Sequence, residues 1–188
     1  MQEHSEPSSN DSKPASSARV SVLKTWLRDL LISLGISAFL IIFLYQPVKV
    51  EGSSMLPGLQ DQERIFINKF VYRLEEINRG DIVVFRYPHD PGKSYIKRVV
   101  AVPGDHVQIY LGRVYVNGYL LQEPYVPREY ADQRSYPETV VPSNSYFVLG
   151  DHRSMSSDSR DFGPVDRSYF TGKAVFVYWP MAKLGVLH

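Results

Sequence analysis

The chain of 188 residues contains no cysteine. This absence excludes disulfide bonds, thiolate metal ligands and a cysteine nucleophile. The chain also has no strong excess of charge, since 21 basic and 20 acidic side chains leave a formal net charge of +1. Such a balance argues against nucleic-acid binding, which usually requires a basic surface. No two histidines have the spacing of a metal-binding motif, so the sequence predicts neither a metal ion nor a cofactor.

The N-terminal part of the chain divides into a polar tail and a long apolar run. Residues 1–21 are rich in serine, proline and charge, and a segment with so little to bury is predicted to be disordered. Residues 22–46 contain an uncharged stretch from Leu30 to Tyr45. This pattern predicts a single transmembrane helix that ends before Pro47.

Two other interpretations of the apolar run are a buried helix of a soluble protein and a cleaved signal peptide. The segment LIIFL is apolar on every side, which disfavours a soluble helix with one polar face. The segment QPVKVEG after the run offers no small-x-small cleavage site. Four basic residues precede the run and only Lys49 follows it closely, so the positive-inside rule predicts a cytoplasmic N-terminus and an extracytoplasmic remainder.

The remaining residues, 47–188, predict one β domain. Short segments of β-branched and aromatic residues, such as GDIVVFRY and SYIKRVVAV, alternate with turn residues. Asn117-Gly118 is a strong hairpin signal. Residues 106–145 are predicted to form a variable hairpin and loop excursion, because a proline-rich, weakly patterned stretch lies within them. The absence of a fixed-period repeat disfavours a propeller or a solenoid.

Two segments carry side chains that could form a catalytic pair. In KVEGSSMLPG, Ser54 follows directly after the apolar run. In SYIKRVVAV, Lys97 lies among apolar neighbours, and most lysines in such strands extend from an edge into solvent. A lysine held inside would instead have a lowered pKa, and its neutral amine could accept the proton of a serine hydroxyl.

A third segment is the polar loop GDHRSMSSDSRDFGPV. Asp158 and Arg160 could fix its shape through a bidentate ion pair, and a solvated surface loop is the alternative. His152 follows Asp151 in this loop, and together with Ser54 these residues would form a Ser-His-Asp triad. Spacing alone favours a polar loop histidine over a catalytic one.

Four short blocks follow one another in the chain: Ser54-Met55-Leu56-Pro57, Arg79 to Pro88, Tyr95 to Val99, and Gly150 to Arg160. In this order they resemble bacterial type I signal peptidases, the leader peptidase family. The resemblance covers residues from about 40 to 180 and includes the apolar run directly before the first block. Each block is weak by itself, and the four in order are specific.

The resemblance implies a Ser-Lys dyad, with Ser54 as the nucleophile and Lys97 as the general base. It implies that Ser156 hydrogen-bonds and orients this lysine. Further supporting residues would be Asp158, Arg160, Asp151, Arg153 and Arg98. Apolar side chains would shape two small substrate pockets, formed by Val48, Val50, Met55, Leu59, Ile65, Val84, Tyr95 and Ile96.

The chain departs from the family pattern at several positions. His152 stands where the family commonly has Asn, and Ser154 where Asp is frequent. Gly58 replaces the usual Thr after the first block. Gly52 lies where some members carry a serine hydroxyl that completes the oxyanion hole, so backbone N–H groups would have to stabilise the oxyanion here.

The implied fold is mostly β, a coiled antiparallel sheet preceded by a single N-terminal transmembrane helix. The implied activity is a serine endopeptidase of the bacterial cell membrane that removes signal peptides from exported preproteins after a small-x-small motif. Its partners would be those signal peptides and the lipid bilayer. Ser-Lys autoproteolytic repressors are one alternative, but they carry a DNA-binding helix-turn-helix where this chain has its apolar run. A membrane-tethered binding module without catalysis is another, and it leaves Ser54 and Lys97 unexplained.

Overall fold

A computed structural model describes residues 15–187, with side chains described for residues 22–39 and 43–187. The chain divides after Phe43 into two compact units. Helix α1 (Ala15–Leu44) accounts for the described part of the first unit, and it contains no proline to interrupt it. Of the predicted disordered tail, residues 1–14 lie outside the described residues. Residues 15–21 of that segment are described as part of α1.

The limits of α1 differ from those of the predicted transmembrane span over residues 22–46. The helix begins at Ala15, and it ends at Leu44 because Tyr45 and Gln46 already pair with a neighbouring strand. Apolar side chains on its described part, such as Trp26 and Phe39, are more than half exposed. Among the residues that the structure describes, no helix is both long enough and apolar enough to cross a membrane.

The second unit is built mainly from β-strands, twelve in the described part of the chain. They are β1 (Tyr45–Lys49), β2 (Arg64–Asn68), β3 (Ile82–Tyr87), β4 (Asp90–Ala101), β5 (His106–Tyr110), β6 (Arg113–Val116), β7 (Tyr119–Leu120), β8 (Tyr136–Val140), β9 (Ser145–Leu149), β10 (Val165–Asp166), β11 (Phe170–Trp179) and β12 (Gly185–Val186). Two short helices are α2 (Val71–Leu74) and α3 (Ser159–Phe162). Single 3₁₀ turns occur at Arg128–Tyr130, Arg153–Met155, Arg167–Tyr169 and Met181–Lys183.

The strands form two antiparallel sheets. The larger sheet has the order β1-β2-β11-β3-β4-β9-β10, with β12 added beside β11, and the smaller has the order β7-β6-β5-β8. Register shifts interrupt several pairs, including β3 with β4 and β4 with β9. Such bulges increase the local twist and bend a sheet. The prediction of a mostly β, antiparallel domain is confirmed.

The smaller sheet falls within residues 106–145, which the sequence assigned to an excursion. Asn117 and Gly118 join β6 to β7 with φ values of 54° and 80°, as a two-residue hairpin turn with both central residues in the left-handed region requires. Residues 121–135, between β7 and β8, contain no strand. They cross instead to the loop that follows β9, where they make the contacts described below.

The alternation of apolar residues explains which strands are central. β5 alternates buried and exposed positions and covers one face of a core, whereas residues 82–85 of β3 are buried without interruption. β3 therefore has both faces covered, and its neighbour β4 is buried from Lys97 to Ala101. In this register Lys97 lies opposite Val83, which is 0% exposed. The register therefore places Lys97 in the interior of the larger sheet.

Candidate active site

Lys97 of β4 contacts Ser54, which lies in the loop between β1 and β2. The Nζ of Lys97 lies 2.6 Å from the Oγ of Ser54, and Lys97 is only 3% exposed. The ring of Tyr95 lies 5.3 Å from the same amine. Burial lowers the pKa of Lys97 to about 8, against the opposing effect of the Asp158 carboxylate. An amine with this pKa is partly uncharged near neutral pH and is close enough to accept the hydroxyl proton.

The backbone around Ser54 is held by the loop that follows β9. The N–H of His152 donates to the carbonyl oxygen of Ser54 over 3.1 Å. The Nδ1 of His152 lies 3.2 Å from the carbonyl oxygen of Ser53. Since a carbonyl oxygen only accepts, Nδ1 must carry the ring proton. Both contacts position the main chain, and neither reaches the hydroxyl of Ser54.

The Ser-His-Asp alternative fails on the position of its carboxylate. Asp151, which would complete a triad, binds the guanidinium of Arg98 in a bidentate pair with distances of 3.0 and 2.8 Å. Both side chains are buried, and burial raises the pKa of Asp151 in spite of that arginine. The ring of His152 instead contacts Tyr130 edge-on, with the ring centroids 4.6 Å apart.

Ser156 lies beside the dyad but does not form the predicted hydrogen bond to Lys97. Its Oγ is buried and has no hydrogen-bond partner in the described part of the chain. The hydroxyl is near enough to the Asp158 carboxylate to help lower its pKa, but its geometry falls short of a hydrogen bond. Gly150 allows Ser156 and Ser54 to lie close together, because a Cβ at position 150 would overlap both Ser156 Oγ and the Ser54 carbonyl oxygen.

Asp158 and Arg160 form the bidentate ion pair that the polar loop suggested. Nε and Nη2 of Arg160 each lie 2.8 Å from a carboxylate oxygen of Asp158. The N–H of Gly150 donates to the same carboxylate over 3.1 Å. Burial alone would raise the pKa of Asp158, but these donors hold it below its usual value. A rigid charged frame therefore lies behind the dyad.

A groove of about 710 Å³ leads to Ser54 and Lys97. Six of the eight residues assigned to substrate pockets line it: Val48, Val50, Met55, Val84, Tyr95 and Ile96. Leu59 and Ile65 do not. Both are 0% exposed and pack in the core cluster that includes Ile67 and Ala174, so they support the groove from below. No cluster of acidic and histidine side chains suited to a metal ion occurs among residues 15–187.

Comparison with known proteins identifies the family. The family model described as signal peptidase, peptidase S26, matches residues 23–179. The chain belongs to this family. A probable signal peptidase I-2 of Synechocystis sp. is 37% identical, over 97% of this chain and 83% of that protein. A signal peptidase I of Leptolyngbya laminosa is 38% identical, over 88% of this chain and 82% of its own length.

A crystal structure of a signal peptidase I from Enterococcus faecalis aligns with 53% of this chain and 97% of its own, with a TM-score of 0.46 and 31% identity. Family membership makes the protein a hydrolase, a serine endopeptidase of the signal peptidase type. The resemblance and the class of activity predicted from the four sequence blocks are therefore confirmed. The alternative of a binding module without catalysis is not supported.

Three residues near this signal peptidase site were not identified from the sequence: Glu123, Asp132 and Arg134. Glu123 pairs with Arg153, while Asp132 and Arg134 contact the Asp158–Arg160 loop. The sequence contains one signal that could have indicated them. The proline-rich excursion carries charged residues that complement an arginine-containing loop, although sequence alone does not show that the two segments meet.

Proposed function

We propose that this signal peptidase uses Ser54 as its nucleophile and Lys97 as its general base to remove signal peptides from exported preproteins. The observation that carries the proposal is the 2.6 Å separation of Lys97 Nζ and Ser54 Oγ, with the amine buried and its pKa lowered to about 8. A buried amine beside a hydroxyl is the arrangement that activates a serine without a histidine.

The steps follow from the positions of these two atoms. The neutral amine of Lys97 takes the proton of Ser54 as Oγ bonds to the scissile carbonyl carbon. The resulting ammonium gives that proton to the leaving amine nitrogen as the C–N bond breaks, leaving an acyl-enzyme ester. A water molecule then loses a proton to Lys97 and attacks the ester. Ser54 recovers its proton, and the signal peptide leaves with a new carboxyl end.

Backbone donors are available for the oxyanion. The N–H of Ser54 has no acceptor in the part of the chain that the structure describes, and it can donate to a developing oxyanion. The N–H of Gly52 is engaged, since it donates to Asp61 over 2.8 Å. Gly52 has a φ of 97°, which glycine adopts at little cost. Gly52 therefore shapes the turn before Ser54, but it offers no side-chain hydroxyl to the oxyanion.

The groove suits an extended apolar peptide with small side chains next to the cut. It runs between the segment from Val48 to Met55, which begins in β1, and the part of β4 that ends at Lys97. An extended substrate can pair with such strand edges by β-augmentation. Val50, Met55 and Val84 line it and are each at most 3% exposed, so little of each side chain is open to a substrate. Shallow apolar pockets accept Ala, Gly or Ser and exclude larger side chains, which supports cleavage after a small-x-small motif.

We also propose that α1 attaches the enzyme to the lipid bilayer, as a single-pass anchor with a cytoplasmic N-terminus and an extracytoplasmic catalytic unit. Leu23, Leu30 and Leu34, like other apolar side chains along the helix, are more than half exposed, and such a surface is unfavourable in water. The most apolar segment, LIIFL, includes residues 40–42, whose side chains lie outside those described. Lys24 and Arg28 stand before the apolar run, as the positive-inside rule requires.

The function is tested with the full chain in detergent and a preprotein whose leader ends in Ala-x-Ala. The wild-type protein should release the leader, with the cut located by mass spectrometry directly after the second alanine. Ser54→Ala and Lys97→Met should abolish release. Ser53→Ala is the matched control and should retain activity, because Ser53 contributes only its carbonyl to the described hydrogen bonds. Retention of activity in Ser54→Ala would overturn the assignment.

A further inference from the structure

Residues 121–135 form a strap against the loop that carries the charged frame of the site. The strap begins after β7 and ends before β8. The loop, here called the catalytic loop, comprises residues 150–161, from Gly150 beside Ser54 to the third residue of α3. Glu123, Asp132 and Arg134 of the strap each contact the catalytic loop. The family pattern read from the sequence assigned none of them a role.

The first contact involves two buried arginines, Arg153 of the catalytic loop and Arg98 of β4. Both carboxylate oxygens of Glu123 accept from the guanidinium of Arg153, whose side chain is 3% exposed. The hydroxyl of Tyr125 donates to Glu123 over 3.0 Å. The ring of Tyr125 lies 4.1 Å from the guanidinium carbon of Arg98, the partner of Asp151. Arg153 therefore depends on the strap for its carboxylate partner, and Arg98 depends on it for an aromatic neighbour.

The second contact is a carboxylate shared between the two segments. Asp132 Oδ2 accepts from Arg160 Nη1 over 2.8 Å and from Arg134 Nε over 2.8 Å. The side chain of Asp132 is 11% exposed and that of Arg160 is 3% exposed. Arg160 thus lies between two carboxylates, Asp158 on its own loop and Asp132 on the strap. This arrangement balances the charge behind the dyad.

The third contact is made to main-chain atoms. Arg134 Nη2 donates to the carbonyl oxygens of Arg153 and Ser156, each over 3.0 Å. One carbonyl belongs to the first residue of the 3₁₀ turn Arg153–Met155, and the other to Ser156, which follows that turn and whose hydroxyl is buried. Nη1 of Arg134 also lies 3.2 Å from Asp161. One planar guanidinium therefore binds two carbonyls of the catalytic loop through Nη2 while Nε and Nη1 reach Asp132 and Asp161, a spread of donors that a single ammonium does not have.

The strap is itself held from the other side by the smaller sheet. The N–H of Gly112, in the turn between β5 and β6, donates to the carbonyl of Arg134 over 3.0 Å. The N–H of Leu111 donates to Ser135 Oγ over 3.1 Å. A Cβ on Gly112 would overlap the carbonyl oxygen of Asp132. The backbone of the strap is therefore fixed on one face while its side chains fix the catalytic loop on the other.

We propose that Arg134 is a positioning residue for the Ser54–Lys97 dyad, acting through the two carbonyl groups that it binds in the catalytic loop. The inference rests on the proposed function of the dyad. Arg134 does not line the groove, so it has no contact through which to bind substrate. Arg160 Nη2 also donates to the Arg153 carbonyl over 2.9 Å, so loss of Arg134 would remove one of two guanidinium donors there and the side-chain donor to the Ser156 carbonyl. The segment that brings Ser156 against Ser54 would then be held less firmly, and misplacement of reacting groups by about 1 Å can cost about a hundredfold in rate.

The test measures kcat and KM of the full chain in detergent on a peptide that spans a cleavage site. Arg134→Met should lower kcat by about tenfold to a hundredfold and leave KM within about twofold of wild type. Arg134→Lys should recover only a small part of the loss, because one ammonium cannot bind the two carbonyls and also reach Asp132 and Asp161. Arg128→Gln is the matched control, since Arg128 is an exposed arginine of the same strap whose side chain pairs with no described residue. It should match the wild type.

A double-mutant cycle tests the route of the effect. If Arg134 acts through the segment that carries Ser156, the combined variant Arg134→Met with Ser156→Ala should lose less kcat than the product of the single losses. Asp132→Asn, which keeps the shape of the side chain, gives the same measurement if Arg134→Met does not fold. The inference is overturned by an unchanged kcat, by a rise in KM alone or by multiplicative losses. Failure of the proposed function would appear differently, as a wild-type chain that cleaves nothing.

Discussion

The Nζ of Lys97 and the Oγ of Ser54 lie 2.6 Å apart although 43 residues separate them in the chain. Two pairings produce this proximity. β4 places Lys97 opposite Val83 in the interior of the larger sheet, and the N–H of His152 holds the Ser54 carbonyl over the end of β9. The sheet thus shields the Lys97 amine from water, and the loop between β1 and β2 brings the Ser54 hydroxyl to it.

The activity should depend on the deprotonation of Lys97. Burial lowers its pKa to about 8, and only the neutral amine can accept the Ser54 proton, so kcat/KM should rise with pH along a limb with an apparent pKa near 8. A series of initial rates from pH 5 to 10 on a peptide substrate measures this limb. A midpoint near 6.5, the ordinary value for histidine, would point to a different base.

The lowered pKa of Lys97 also predicts how stability changes with pH. Its folded pKa of about 8 lies below the ordinary 10.5, so below pH 8 the fold bears the full cost of a buried ammonium, about 3 kcal/mol. Between pH 8 and 10.5 the unfolded chain binds more protons, and stability rises with pH. Lys97→Met should therefore raise the free energy of unfolding by about 2 kcal/mol at pH 7, after a loss of about 1 kcal/mol for the hydrogen bond.

Urea unfolding of wild type and Lys97→Met, in the same detergent at pH 7 and pH 10, measures this difference. The gain should be clearly smaller at pH 10 than at pH 7. A Lys97→Met protein that is less stable than wild type at pH 7, or whose gain is the same at both pH values, would show that the amine is not desolvated in the folded chain.

Replacement of His152 separates the dyad from a triad. His152→Ala removes the contact between Nδ1 and the Ser53 carbonyl, worth about 1 kcal/mol, so kcat/KM should fall by no more than about tenfold. His152→Asn should recover most of the loss, because an amide N–H can donate to the same carbonyl. A loss of a thousandfold or more in His152→Ala would assign the histidine to proton transfer.

The close approach at Gly150 gives a steric prediction. Gly150→Ala should reduce activity by about a hundredfold, because its Cβ would overlap the Ser54 carbonyl oxygen, a backbone atom that cannot rotate away. Gly58→Ala is the matched control, because Gly58 lies in the same loop between β1 and β2 as Ser54. A Cβ there would lie 3.5 Å from Asp151, an ordinary contact, and kcat should stay near wild type. Equal activities of the two variants would contradict the packing around Ser54.

The elements that the sequence predicted well are those specified by local chemistry. β-branched and aromatic residues define strands such as β3 and β9, and Asn117-Gly118 defines a hairpin, because each depends on neighbours in the chain. The class of activity followed from four blocks in order. Lys97 alone was ambiguous, since an edge strand and an interior strand can share one sequence pattern, and only the sheet order shows that β4 lies between β3 and β9.

The parts that the sequence did not predict depend on contacts between distant segments. Leu59 and Ile65 are apolar like the groove residues, and their composition does not show that they face the core. Ser156 lacks its expected hydrogen bond to Lys97 because its position follows from the path of the whole catalytic loop. Arg134 reaches Ser156 from 22 residues away. A proline-rich stretch without periodicity gives no indication of which loop it will contact.

The two turns of the smaller sheet differ in their surroundings. A Cβ on Gly118 would meet nothing within 4 Å, whereas a Cβ on Gly112 would collide with the strap. An epitope tag or a fluorescent label inserted between Asn117 and Gly118 should therefore leave the enzyme active. The same insertion at Leu111-Gly112 would press on Asp132 and disturb catalysis from outside the groove. For this reason, natural variation in the length of these hairpins should be concentrated at the turn between β6 and β7.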